Sequence, residues 1–200
     1  YARDLRARAA AYGRPSDSIV ILPGLATVIG STEAEAKRRQ AELWDLVPID
    51  YSLSRLAGTL QVSPDLLELD KPLPELALPA NANQTMFKGT VAMARKDNLT
   101  VRQLLKALGG GVGHRIIVGT PEAIADDIEA WFKAGAADGF NLMPDVLPTG
   151  LETFVDEVVP LLQKRGIFRR DYEGTTLRDH FGLARPASRY ARQQAGAVSA

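Results

Sequence analysis

The sequence contains no cysteine and only two histidines among its 200 residues. Without cysteine, neither a disulfide framework nor a cysteine-ligated metal site can form, and the composition fits a cytoplasmic protein. The 24 basic residues are matched by 24 acidic residues, which argues against a general nucleic-acid-binding surface. The longest apolar run, residues 19–30, is interrupted by Pro23 and Gly24 and is too short to cross a membrane. Nucleic acid and membrane are therefore not expected as partners.

Three short apolar segments read as buried β-strands, at residues 18–30, 114–119 and 138–143. A strand, an amphipathic helix and a second strand within residues 114–143 predict a βαβ unit. The strands of such a unit run parallel and are joined by a right-handed crossover. The sequence therefore predicts the α/β class.

Capping signals mark the helices that follow these strands. Thr32 and Glu35 have the spacing of a capping box for a helix over 33–46. Thr120 is placed to cap the next helix, with Pro121 at its first position.

Two further features of the helices can be predicted. A third helix is expected over about 151–165, where Pro160 removes one backbone donor and should distort the helix. The buried stripe of the second helix should be formed by its large apolar side chains: Ile124, Ile128, Trp131 and Phe132.

The rest of the chain divides by composition. More than 80 residues separate the first two strands, too many for an ordinary αβ connection. We expect them to form an insertion or lid with two helices, and we expect a basic tail to follow the last helix. The predicted divisions are one domain over 1–192, an insertion over 50–112 with helices at 85–95 and 100–108, a tail over 166–192, and a disordered end over 193–200.

Several segments of the chain resemble one enzyme family. They are LTVRQLL (99–105), VGTPEAIADDIEAWF (118–132), the stretch from GAADGFNLMPD to KRGIF (135–168) and RRDYEGTTLRDHFGLARP (169–186), supported by residues 21–43. Together they resemble the nitrilotriacetate monooxygenase type of flavin-dependent monooxygenase, within the bacterial luciferase-like superfamily. YEGTTLRDHFGL is the most specific of these motifs, because many barrels place a GTPE-like cap after a strand.

The resemblance implies a fold and an activity. The fold would be a partial (β/α)8 TIM barrel containing about the last three βα units, strands six to eight, because 200 residues are too few to close a barrel. The activity would be that of a two-component monooxygenase, which uses reduced FMN from a separate flavin reductase, and O2, to oxygenate a small organic substrate. We would expect a homo-oligomer, and a fragment that is inactive alone. The alternative is a non-catalytic half-barrel that self-associates or serves as an interaction module.

Candidate site residues follow from the expected barrel, whose active site lies at the carboxyl ends of its strands. Gly119 and Thr120 open a helix there and could hold a flavin phosphate, although the favoured alternative is that Thr120 only caps its helix. Asn141, Met143 and Asp145 lie at the carboxyl end of the last strand and are candidates for the substrate-binding mouth, with structural hydrogen bonding as the alternative for Asn141. No residue is assigned a catalytic role, since the cofactor carries the chemistry of such enzymes.

Other residues that often carry chemistry are given structural interpretations. His114 is expected at the bottom of the barrel and His180 in the tail, and no carboxylate spacing beside them suggests a metal site. The glycine-rich run 109–113 lacks the spacing of a phosphate loop and precedes a strand, so it is predicted to be a hinge or a tight turn. The neighbouring acids Asp126 and Asp127 are expected on a solvated helix face.

Overall fold

The structure is a computed structural model that describes residues 1–109, 114–188 and 190. Helices and three short strands make up the regular structure. In chain order the regular elements are α1 (Ala2–Ala11), β1 (Gly24–Ile29), α2 (Glu33–Asp45), α3 (Ile49–Leu60), α4 (Gln84–Lys96), α5 (Val101–Ala107), β2 (Arg115–Gly119), α6 (Pro121–Lys133), β3 (Asn141–Pro144), α7 (Thr149–Thr153), α8 (Val159–Lys164) and α9 (Leu177–His180). The predicted α/β class is confirmed.

The three strands form one parallel sheet in the order β2-β1-β3. Ala26 of β1 lies opposite Ile116 of β2 on one side and opposite Met143 of β3 on the other. The parallel orientation was predicted, but the order differs from that of three consecutive barrel strands, in which β2 would be central. Instead β1 is the central strand, and within the described residues the outer sides of β2 and β3 pair with no other strand.

The first strand is shorter than predicted because residues 18–23 make a different set of contacts. The Ile21 amide donates to the Asp138 carboxylate at 2.8 Å, and the Asp138 amide donates to the Ile21 carbonyl at 2.9 Å. Arg6 of α1 also donates to Asp138, at 2.7 Å. Asp138 thus joins the first helix, the lead-in to β1 and the lead-in to β3.

One face of the sheet is covered by α6 and by the helical segment α7–α8. Leu25 and Ile29 of β1 pack there against Ile124 and Ile128 of α6 and Val158, which precedes α8. Leu25, Ile124 and Val158 have no exposed surface, so this is the centre of the apolar core. The other side of the sheet faces α2.

The segment α7–α8 confirms the distortion predicted from Pro160. Residues 154–158 form a π-helical segment between the two α-helical pieces. Proline has no amide proton for an α-helical hydrogen bond, so the regular ladder cannot continue through it.

The side chains of α6 only partly follow the prediction. Thr120 caps the helix, accepting from the Ala123 amide at 3.4 Å. Ile124 and Ile128 are buried, but Phe132 is 46% exposed. Trp131 is only half-buried, and the Arg115 guanidinium carbon lies 4.7 Å from the centroid of its ring. The small side chains of Pro121 and Ala125 complete the buried stripe instead.

The insertion is a helical unit with its own core. Its predicted helices are present as α4 and α5, and sequence analysis missed α3. The core joins all three helices to the chain between them, through Leu56, Ala57, Leu60, Leu67, Phe87, Ala94, Val101, Leu104 and Leu105. A role as a lid stays a prediction.

The tail carries one short helix, α9, and no apolar cluster of its own among the described residues. Asp179 closes a capping box by accepting from the Thr176 amide at 2.9 Å. The predicted disordered end lies outside the described residues, as does most of the glycine-rich run: Gly110, Gly111, Val112 and Gly113.

Candidate active site

A cavity of about 580 Å³ lies between the sheet and α2, on the side away from the α6–α8 core. It is lined by β1, the carboxyl end of β3, α2 and the end of α5. Most of its wall is apolar. The lining residues are Ala26, Thr27, Val28, Lys37, Gln40, Ala41, Leu43, Trp44, Asp45, Leu46, Val47, Lys106, Gly109, Ile116, Met143, Pro144 and Asp145.

The strand order gives an independent reason to expect a ligand here. The chain leaves β1 for β2 on one side of the sheet, whereas β3 lies on the other side. Ligands of open α/β sheets bind outside the carboxyl ends of the strands where the strand order reverses. In this sheet that position is between the carboxyl ends of β1 and β3, which the cavity adjoins.

The best-fixed charged group at the cavity is Asp145, immediately after β3. Its side chain is 6% exposed, and the Arg39 Nε of α2 donates to its Oδ2 at 2.5 Å. The Val146 amide donates to its Oδ1 at 2.8 Å. The hydrogen bond that Arg39 donates to Asp145 raises the pKa of the Arg39 guanidinium above its ordinary value. The ion pair therefore ties the end of β3 to α2 across the cavity.

Gly150 is required for Asp145 to occupy this position. A Cβ atom at Gly150 would lie 2.2 Å from the Asp145 Oδ1, far inside van der Waals contact. The glycine is buried at the start of α7, so the conformation of the β3–α7 connection depends on its small size.

Two lysines add positive charge to the cavity wall. Lys37 of α2 pairs with Glu33 at 2.5 Å. Lys106 of α5 has no ion-pair partner within the described part of the chain. Its ammonium group is thus available to an anion at the side of the cavity formed by the insertion.

The residues predicted for the mouth do not all lie together. Met143 and Asp145 line the cavity, but Asn141 does not. Asn141 is the first residue of β3, not one of the last, and its side-chain amide donates to the Leu22 carbonyl at 3.0 Å. The strand begins at Asn141 and runs on to Pro144, so Asn141 lies at the start of β3, and its role at the mouth stays a prediction.

Gly119 and Thr120 lie at the carboxyl end of β2 and do not line the cavity. The Gly119 carbonyl accepts from the Gly30 amide at 3.2 Å, and the Thr120 hydroxyl accepts from the Ala123 amide. These contacts agree with the capping alternative, and a flavin-phosphate role for the two residues stays a prediction.

The remaining polar candidates make structural contacts. The His114 ring lies against the sheet, where a Cβ at Gly24 would come within 2.4 Å of its Nδ1. His180 packs on Tyr172 with ring centroids 4.5 Å apart. Asp127 is not simply solvated, since it forms a salt bridge with Arg115. No group of three or more His, Asp or Glu side chains suited to a metal ion occurs among the described residues.

The sequence did not predict the role of Arg39, or that residues of α2 would line the cavity. Arg39 lies 106 positions from Asp145, and a lone arginine in a helix rich in charged residues carries no local sign of its partner. The apolar residues at the end of α2 were a usable signal: Leu43, Trp44 and Leu46.

Comparison with known proteins identifies the family. Residues 1–138 match the sequence model of the luciferase-like monooxygenases. The chain belongs to this family. It is 46% identical over 192 residues to N-acetyl-S-(2-succino)cysteine monooxygenase of Bacillus subtilis (strain 168), and 45% identical over 190 residues to nitrilotriacetate monooxygenase component A of Aminobacter aminovorans. These alignments cover 95% and 94% of this luciferase-like chain.

Solved structures agree with the family membership. The structure of riboflavin lyase with modified FMN and riboflavin has a TM-score of 0.74 and 30% identity to this chain, and covers 98% of it. The luciferase-like chain spans less than half the length of the relatives it matches: 44% and 42% of the two monooxygenases, and 42% of the lyase. In the part of the chain that the structure describes, no helix is long and apolar enough to cross a membrane.

Proposed function

We propose that this chain is part of a two-component, FMN-dependent monooxygenase with a partial (β/α)8 barrel fold. The observation that carries the proposal is its 46% identity to a monooxygenase over 95% of its length. We place the active site in the cavity at the carboxyl ends of β1 and β3. Barrel enzymes carry their active sites at the carboxyl ends of their strands, and the strand order favours a ligand at the same position.

The residues around the cavity fit a reduced flavin. A volume of about 580 Å³ lies within the range of small-molecule pockets. Ala26, Val28 and Met143 offer a largely apolar wall to a flat ring system, and Lys37 and Lys106 offer cations to a phosphate or to a substrate anion. Bound reduced flavin supplies the electrons with which O2 is activated.

The task of this chain would be to exclude water and to orient the substrate. The apolar strand residues and Trp44 leave few polar groups that could hold water beside a reactive oxygen species. The Arg39–Asp145 pair fixes the distance between β3 and α2, so the cavity keeps its shape without contributing a nucleophile or a general base.

The substrate proposed is a small organic molecule bearing several carboxylates. By their names, the two relatives compared above act on compounds with three carboxyl groups each. Lys106, which has no ion-pair partner among the described residues, would match such charge. Because Lys106 belongs to the insertion, that segment would take part in substrate recognition.

The partners proposed are a flavin reductase and further copies of the same chain. The reductase follows from the two-component organisation that the name of the Aminobacter relative, component A, suggests for that protein. Self-association is supported by the outer sides of β2 and β3, which remain unpaired within the described residues and could pair with another chain.

The test uses this chain extended at its N-terminus to the length of its relatives. With NADH, a flavin reductase and FMN, we expect O2 consumption coupled to an oxygenated product from nitrilotriacetate or N-acetyl-S-(2-succino)cysteine. Omitting FMN should abolish the product, and the 200-residue chain alone should form none. A lack of FMN-dependent product from both acids and from an uncharged thioether would refute the enzyme proposal.

A further inference from the structure

Trp44 is the one aromatic side chain in the wall of the cavity, among the residues that the structure describes. It lies on the face of α2 that also brings Lys37, Gln40 and Ala41 to the cavity, because residues spaced by three, four and seven positions share one side of a helix. The cavity therefore has a single flat surface with π-electrons, and α2 supplies it.

The position of Trp44 is fixed from two directions. Its backbone carbonyl, at the end of α2, accepts from the Val47 amide at 3.0 Å and from the amide of Leu46, which ends the helix. Its indole is half-buried and packs against the apolar core of the insertion. The ring thus lines the cavity while the insertion supports it, so little ordering of this side chain is needed when a ligand binds.

The opposite wall of the cavity can accept a flat ring. Ala26 lies opposite Ile116 on one side and Met143 on the other, and all three line the cavity. The single methyl group of Ala26 between two longer side chains leaves a shallow trough along the middle of the sheet face. An aromatic ring system in this trough would lie between the sheet and α2, where aromatic rings gain from offset or edge-on contact with an indole.

We propose that Trp44 contacts the isoalloxazine ring of the flavin and orients it in the cavity. The inference rests on the proposed function, because the flavin is the ligand of that site. Since the same indole packs against the insertion core, the insertion would hold the contact surface of the ring in place.

Contact quenching of flavin fluorescence tests this proposal. An excited flavin loses its emission when an indole in contact with it donates an electron, whereas a phenylalanine ring does not quench. The chain has two tryptophans, and Trp131 does not line the cavity. Trp44→Phe therefore keeps an apolar ring but removes the electron donor, and Trp131→Phe is the matched control. Oxidised FMN is the probe, and its fluorescence anisotropy reports binding independently of quenching.

We expect FMN to lose its emission on binding to this chain and to Trp131→Phe, and to keep most of it when bound to Trp44→Phe. Trp44→Ala should bind FMN about tenfold more weakly, because the contact between the rings is lost. Equal loss of emission with Trp44→Phe and the parent chain would overturn the proposal, and so would a lack of FMN binding to the parent chain.

The quenching measurement needs no turnover, so this proposal and the enzyme proposal fail separately. If the extended protein forms product but Trp44→Phe quenches as strongly as the parent chain, the enzyme proposal stands and this one falls. If quenching depends on Trp44 but no product forms, the enzyme proposal falls and this one stands.

Discussion

The ion pair between Arg39 and Asp145 gives the sharpest test of how the cavity is held together. Replacing Arg39 by Met keeps most of the apolar stem but removes the guanidinium. The Asp145 side chain, 6% exposed, then keeps the Val146 amide as its hydrogen-bond donor but loses its counter-ion. An uncompensated buried charge is strongly destabilising.

The size of the effect follows from the exposure of the two partners. Breaking a fully buried pair costs roughly 3–5 kcal/mol, and an exposed pair is worth about 0.2–1 kcal/mol. Arg39 is 35% exposed, so water partly screens the pair. We expect Arg39→Met to lower the free energy of unfolding by about 2–3 kcal/mol.

Urea unfolding followed by tryptophan fluorescence measures this difference, and the neighbouring Arg38 supplies a matched control. Arg38 is 65% exposed and its contacts with Glu35 and Glu42 are 4.0 and 3.5 Å long. Arg38→Met should therefore change stability by no more than about 0.5 kcal/mol. The double variant Arg39→Met/Asp145→Asn should lose less than the sum of the two single losses, because no buried charge remains. Equal losses for Arg39→Met and Arg38→Met would show that the buried Asp145 carboxylate does not depend on Arg39 as its counter-ion.

Three further predictions concern packing and pH. Gly150→Ala should destabilise the protein by about 1–3 kcal/mol, because its Cβ would overlap the Asp145 carboxylate. The control Gly89→Ala, in a helix and with open space around its Cβ, should be neutral or stabilising. A higher melting temperature for Gly150→Ala than for Gly89→Ala would contradict this. Ile124→Ala should cost about 2–5 kcal/mol and exceed the loss for the half-buried Trp131→Ala in the same denaturation assay. Thr176 lowers the pKa of Asp179, so the carboxylate should stabilise α9 above the unfolded-state pKa of Asp, about 3.9, and lose this effect as the pH falls through the lower folded-state value. A carbon-13 NMR titration should place the Asp179 midpoint below that of an unperturbed Asp, and an ordinary midpoint would contradict the capping role.

Local chemistry explains what the sequence could predict. Helix α6 begins where Thr120 and Pro121 place it, because caps act within one turn. The distortion near Pro160 follows from a missing donor. Helix α3 was missed because Pro48 precedes it without a side-chain cap and Gln61 ends it in a left-handed conformation with φ of 53°. Neither end carries an ordinary capping signal.

Non-local contacts explain what could not be predicted. Strand order depends on which edges meet in space, and nothing in the apolar pattern of 18–30 showed that β1 would be central. The capping of α2 differs for a related reason. Thr32 accepts from the Glu35 amide as predicted, but the Glu35 carboxylate accepts from Ser31 rather than from the Thr32 amide. The spacing predicted that Thr32 and Glu35 take part in the cap, whereas the donor to the Glu35 carboxylate depended on the turn that follows β1.

We propose the cavity between the sheet and α2 as the site of flavin-dependent oxygenation. The most direct measurement is the rate of product formation by the extended protein, with reduced FMN supplied, after Met143→Trp fills the cavity. Met93→Trp is the matched control, since Met93 lies on α4 of the insertion and is 39% exposed. We expect Met143→Trp to abolish FMN-dependent product formation with an unchanged melting temperature, and Met93→Trp to leave the rate intact. Undiminished product formation by Met143→Trp would contradict it.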